Sequence, residues 1–175
     1  DDYYIMSSLY NGILINNKFV IEYVLCLVNS EIYQFLLNIQ TLSKTSGAFT
    51  KAKIFHYYNL PVKYINNKTE KIFIDFTEIL IFLKSINQEL EFDYFNEILN
   101  GLIYEVFFKE SFDSTKKTIL KHLDDLKPIN DKMSDEEKLG VLQSEYERLY
   151  HPDHPVRFAI ETLDSIEEVR IIREA

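Results

Sequence analysis

The sequence predicts a helix-rich α+β protein: a small mixed front part, residues 1–69, followed by a helical back part, residues 70–175. Three observations lead there. An Asn11-Gly12 pair sits between two short apolar runs, the residue pair that best tolerates the positive φ angles of a two-residue hairpin turn. A β-branched and aromatic run, "KIFHYYNLPVKYI", contains Pro61, which suits an edge strand or an irregular extended segment because proline cannot donate to a ladder. From residue 70 onward apolar residues recur at helical spacing, and Gly and Pro are scarce, at 4 each in 175 residues.

Taken in order, residues 3–10 and 13–15 are expected to pair as the hairpin. "NNKFVIEYVLCLVNS" then places Phe19, Val20, Tyr23, Val24, Leu27 and Val28 on one helical face. Ser30 is positioned to cap a second helix, "EIYQFLLNIQTL", with Ile32, Phe35, Leu36 and Ile39 as its stripe. A polar loop over residues 43–50 leads to the edge strand. In the back part, Ile79, Leu83, Ile86 and Leu90 share one face, and Phe95, Ile98, Leu99, Leu102, Ile103 and Val106 share the next. "STKKTILKHLDDL" is expected to be helical through Ile119, Leu120, Leu123 and Leu126, stopping at Pro128. Ser134 and Glu137 have the spacing of a capping box, and Leu139, Leu142, Tyr146 and Leu149 form the stripe of the helix it opens.

Composition bounds the function. Apolar residues make up 46% and charged residues 27%, a mixture that folds and buries a core. The lone cysteine, Cys26, excludes an intrachain disulfide or a cysteine-built zinc site, reads as a small buried hydrophobe, and fits a reducing compartment such as the cytoplasm. No apolar run approaches the roughly 20 residues of a membrane-spanning helix, so no membrane partner is expected. The chain begins "DDYY" without an initiator Met, and is read as a piece of a longer protein.

Charge is unevenly distributed. Residues 1–69 hold six lysines against Asp1, Asp2, Glu22 and Glu31, a net of +2, which leaves −11 for the rest of a chain of net −9. No carboxylate occurs between Glu31 and Glu70, while five lysines and His56 do. A polyanion suits the first part and is repelled by the second, although screening confines that repulsion to about 8 Å at physiological salt.

Motifs for catalysis are missing from the sequence: it has no Gly-rich phosphate loop, no Gly-x-Ser-x-Gly elbow and no His-Glu-x-x-His helix. His151, Asp153 and His154 in "YHPDHPVRF" have metal-ligand chemistry, but the two prolines favour a helix break, with Asp153 or His154 capping the next helix and Pro155 in its first turn. Arg157 is expected to point along that helix and to pair with a carboxylate at the surface.

The acid-free stretch combines lysines (44, 51, 53, 63), hydroxyls (Ser43, Thr45, Ser46, Thr50), Gly47 for close backbone approach, and the aromatics Phe49, Phe55, Tyr57 and Tyr58. Together with Leu27-Val28-Asn29-Ser30 ahead of it and Leu60-Pro61-Val62 closing it, this order of elements over residues 3–65 resembles the TaqI-like C-terminal specificity domain of bacterial adenine-specific DNA methyltransferases and fused restriction–modification enzymes. Val28 before Asn29 departs from the family's Leu-Asn-Ser element. "NGLIYEVFF" and "YERLYHPDHPVRFAIETLDSIEEVRII" resemble the closing helical segment of the fused enzymes.

The resemblance implies a target-recognition module that grips duplex DNA, with no catalytic residues and no cofactor of its own. The S-adenosylmethionine-binding methyltransferase domain is expected upstream in the same polypeptide, where it would flip and methylate adenine. The DNA-contacting residues it points to are Lys44, Thr45, Ser46, Gly47, Lys51 and Lys53, with no metal site. The competing expectation is a helical protein-interaction or scaffold module that docks catalytic domains or a second subunit.

Overall fold

The computed structural model describes residues 18–42 and 54–175. Among them every regular element is a helix: α1 (Ile21–Val28), α2 (Glu31–Leu42), α3 (Ile54–Tyr57), α4 (Asn67–Ser85), α5 (Glu89–Phe107), α6 (Lys109–Thr115), α7 (Asp135–Leu149), α8 (Pro155–Glu161) and α9 (Glu167–Arg173), with 3-10 turns at Leu120–His122 and Leu163–Ser165. The α+β expectation is therefore corrected to an all-helical fold over these residues. The hairpin at residues 3–15 lies outside them.

The edge strand falls within them and does not form; the segment is irregular, the other expectation. Residues 54–57 are the helical turn α3, and the chain then runs to residue 66 without regular structure or a partner strand. Its carbonyls find side chains instead. The Tyr33 hydroxyl donates to the Pro61 carbonyl at 3.0 Å, and the Tyr23 hydroxyl to that of Lys63 at 3.0 Å. Backbone acceptors satisfied in this way need no ladder. Leu60 and Ile65 anchor the segment in the core, while Tyr58, Val62 and Tyr64 are exposed.

The helices start and stop for local reasons. The Asn29 amide side chain donates to the Leu25 carbonyl at 2.9 Å and ends α1. One residue on, the Ser30 hydroxyl donates to the Leu27 carbonyl and accepts the Tyr33 amide, closing one helix and opening the next. Asn66 caps α4 by accepting the Thr69 amide at 3.0 Å. The capping box at α7 is complete: Ser134 Oγ accepts the Glu137 amide, and the Glu137 carboxylate accepts the Ser134 amide.

Three expected faces shift. On α2, Ile39 is 51% exposed, while Tyr33 and Leu37, outside the expected stripe, are buried. α1 buries Tyr23, Cys26 and Leu27 but leaves Val28 exposed. The single stripe drawn through Ile79, Leu83, Ile86 and Leu90 is cut by residues 86–88, where Asn87 adopts φ 56°, and Leu90 is 68% exposed in the first turn of α5.

The helix expected over "STKKTILKHLDDL" is also corrected. α6 ends at Thr115 with Lys116 in the left-handed region, and only a 3-10 turn follows. Glu105, reaching from α5, accepts the amides of Ile119 at 2.6 Å and Leu120 at 2.9 Å, so these donors are committed to a side chain. Ile119, Leu123 and Leu126 are nevertheless buried, which is what their spacing reports. Burial raises the Glu105 pKa, against the lowering effect of the two amides.

The core lies between the two long helices. Phe73, Phe76, Ile79 and Leu83 of α4 and Phe95, Ile98 and Leu102 of α5 are fully buried. α1 packs on α4, α2 on α5 and α9, and α7 and α8 on α5. Residues from before and after position 69 thus share one apolar cluster. Gly101 permits the closest approach, because a Cβ there would stand 2.6 Å from Ile119 Cδ1 and 2.8 Å from Ile160 Cδ1.

Candidate nucleic-acid interface

The six residues expected at DNA, Lys44, Thr45, Ser46, Gly47, Lys51 and Lys53, lie outside the described residues. What is described is the frame on either side: α2 leads into them, and α3 with the extended segment leads out.

That frame is anchored at both ends. At the start of α2, the Asn100 carboxamide of α5 accepts the Glu31 amide at 3.1 Å, and Glu31 accepts the Tyr104 hydroxyl at 2.5 Å. Arg173, at the end of α9, bonds Glu31 at 3.0 Å, Glu97 at 2.8 Å and Asp164 at 3.2 Å. On the far side, Tyr23 packs its ring on Phe73 at 4.8 Å between centroids while its hydroxyl holds the Lys63 carbonyl. Burial pushes the Tyr33 phenol up to about 12 and raises that of Tyr23 as well, so both stay protonated donors.

With its carbonyls pinned inward, the segment turns its remaining side chains to solvent. Tyr58 is 75% exposed and Tyr64 80%, and Lys63 is exposed beside Tyr64. Two rings and a lysine on a fixed extended backbone can stack on bases and contact a phosphate. Tyr23 and Tyr33 from the preceding helices hold the segment through its carbonyls, and Tyr57 packs partly buried against the core.

The other sequence candidates resolve into structural roles. His154 Nδ1 accepts the Val156 amide at 3.3 Å and caps α8, with Pro155 at its first position. Burial, then the neighbouring Arg148 and His122, lower the His154 pKa. Among the described residues no group of three His, Cys, Asp or Glu side chains is arranged to hold a metal ion. Arg157 pairs with Glu161 at 2.7 Å, as expected, and lies over the Tyr150 ring. Cys26 is buried beside the Thr77 hydroxyl at 3.2 Å, and burial pushes its thiol up to about 11, the environment of an unreactive structural cysteine. No helix among the described residues is long and apolar enough to cross a membrane.

Compared with known proteins, the chain matches no family model, no curated protein and no solved structure.

Proposed function

We propose that this chain is a DNA target-recognition module, without catalysis of its own, that works beside an S-adenosylmethionine-dependent adenine methyltransferase domain of the same polypeptide in the cytoplasm. The observation that carries the reading is the acid-free segment between Glu31 and Glu70. Its described exit strip exposes Tyr58, Lys63 and Tyr64 from a backbone held by Tyr23 and Tyr33. A phosphate backbone accounts for lysines without carboxylates, and exposed aromatics account for contact with bases. The ordered resemblance over residues 3–65 supports the same class of partner. Lys44, Lys51 and Lys53 contact phosphate in this reading, while Thr45, Ser46 and the Gly47 backbone approach base edges.

Duplex DNA binding measured over a range of salt concentrations tests it. Replacing Lys44 and Lys51 together by alanine is expected to weaken binding to all sequences alike and to reduce the salt slope by roughly 2, one phosphate per lysine. Unchanged affinity and slope would refute the placement.

A second reading, a protein-docking module, is favoured by one feature. Ile21, Leu25 and Val28 form an exposed apolar stripe along α1, and Ile81 of α4, 61% exposed, borders the same groove as Leu25. On this reading the stripe meets a second copy of the chain. Sedimentation is then expected to show a dimer that Leu25→Glu with Ile81→Glu converts to monomer. A wild-type monomer at all concentrations would exclude that self-association.

A further inference from the structure

One lysine without a carboxylate partner, Lys121, lines a cleft that two more, Lys63 and Lys116, adjoin in sequence, and most of that cleft belongs to the acidic back part of the chain. Among the described residues, all four arginines and Lys68, Lys71, Lys109 and Lys127 sit on carboxylates. Lys84 and Lys138 lie over the rings of Phe92 and Phe82, and Lys117 is buried against the Thr162 carbonyl. Of the lysines that have none of these partners, Lys121 lines a cleft of about 390 Å³ bounded also by Tyr64, Asn66, Lys109 and Thr118. Lys63 precedes Tyr64 on one wall, and Lys116 ends α6 two residues before Thr118 on the other.

The carboxylates of this cleft are already engaged. Asp113 is held by Lys109 at 2.6 Å, and Glu105 accepts the amides of Ile119 and Leu120. The Thr118 hydroxyl is buried without a hydrogen-bond partner. The cleft therefore presents Lys121 without a carboxylate partner and neutral polar groups next to the exposed Tyr64, with Lys63 and Lys116 adjoining it in sequence, within a chain of net charge −9.

We propose that this cleft is a second phosphate-contact surface for duplex DNA, with Lys116 and Lys121 continuing the path from Lys63. The proposal rests on the DNA-recognition reading and extends it onto residues that net charge alone assigns to repulsion. Both lysines are exposed and unpaired, so their replacement leaves the core intact. Their contacts go to the DNA backbone and carry no sequence information.

The test is fluorescence anisotropy of labelled duplexes of several sequences with the full chain, from about 50 to 200 mM salt. The variants are Lys116→Asn with Lys121→Gln, and separately Lys44→Ala with Lys51→Ala. Asparagine is chosen at 116 because it tolerates the left-handed backbone found there. The Lys116/Lys121 double variant is expected to bind every duplex roughly ten-fold more weakly, with a salt slope smaller by roughly 2, and to melt at the wild-type temperature. If it binds like wild type while the Lys44/Lys51 variant is weakened, the cleft proposal is overturned and the recognition reading stands. If the wild-type chain binds no duplex at any of these salt concentrations, both fall. If an RNA hairpin displaces the duplex and the Lys116/Lys121 pair governs that binding, the assignment to DNA is overturned.

Discussion

Replacing Tyr23 by alanine is expected to cost about 4 kcal/mol of stability, in the range found for emptying a buried aromatic site. The ring is fully buried, packed on Phe73 and beside Phe19, so its loss leaves a void at the junction of α1 and α4. The same side chain holds the Lys63 carbonyl, so the alanine variant also frees the extended segment. Tyr23→Phe separates the two roles. It keeps the ring and removes one hydrogen bond, an expected loss of about 1 kcal/mol. In that variant the exposed strip carrying Tyr64 loosens while the core survives, so DNA affinity should fall out of proportion to stability. Urea unfolding of both variants checks the order. A Tyr23→Ala cost below about 1 kcal/mol would mean that the packing between α1 and α4 is wrong.

Glu145→Ala is expected to cost about 3 kcal/mol, the low end for breaking a buried ion pair. Glu145 on α7 is 0% exposed and takes two bonds from Arg148, at 2.6 and 3.1 Å, with Lys127 at 3.6 Å from its other oxygen. Removing the carboxylate leaves the Arg148 guanidinium with only the exposed Asp125 carboxylate at 3.2 Å and the His154 ring at 3.4 Å. The low end applies because Arg148 and Lys127 keep access to water. Because a buried pair is stabilised mainly relative to its broken form, Glu145→Leu with Arg148→Met should recover most of the loss. A double variant as unstable as Glu145→Ala would show that the cost is packing at α7, not an orphaned charge.

The sequence was most legible where structure is decided by neighbours a few residues away. The Ser30 junction, the Ser134–Glu137 capping box, the His154–Pro155 start of α8 and the apolar face of α5 all follow from short spacings. It was least legible where distant partners decide. Pro61 and Lys63 looked like strand residues because nothing local shows that tyrosines 28 and 40 positions earlier take their carbonyls. The run after Thr115 looked helical because its apolar spacing is right, yet Glu105, 14 and 15 positions earlier, withdraws the amides of Ile119 and Leu120.

The candidate site follows the same division. Its charge signature, lysines without acids between Glu31 and Glu70, is visible in composition. The exposed Tyr58 and Tyr64 had to be separated from the inward tyrosines by the fold. Lys116 and Lys121 were invisible as candidates because they sit in a run that reads as the polar face of a helix; the cleft brings Lys121 to the strip that carries Tyr64, with Lys116 two residues before its Thr118 wall.

The central claim is that duplex DNA lies along the acid-free segment and its tyrosine strip. Photo-crosslinking of the full chain to a duplex carrying halogenated pyrimidines, read by peptide mass spectrometry, tests it most directly. The account predicts adducts on residues 44–58 and on Tyr64. Adducts confined to α7, α8 and α9, or cross-linking that competitor duplex does not suppress, would contradict it.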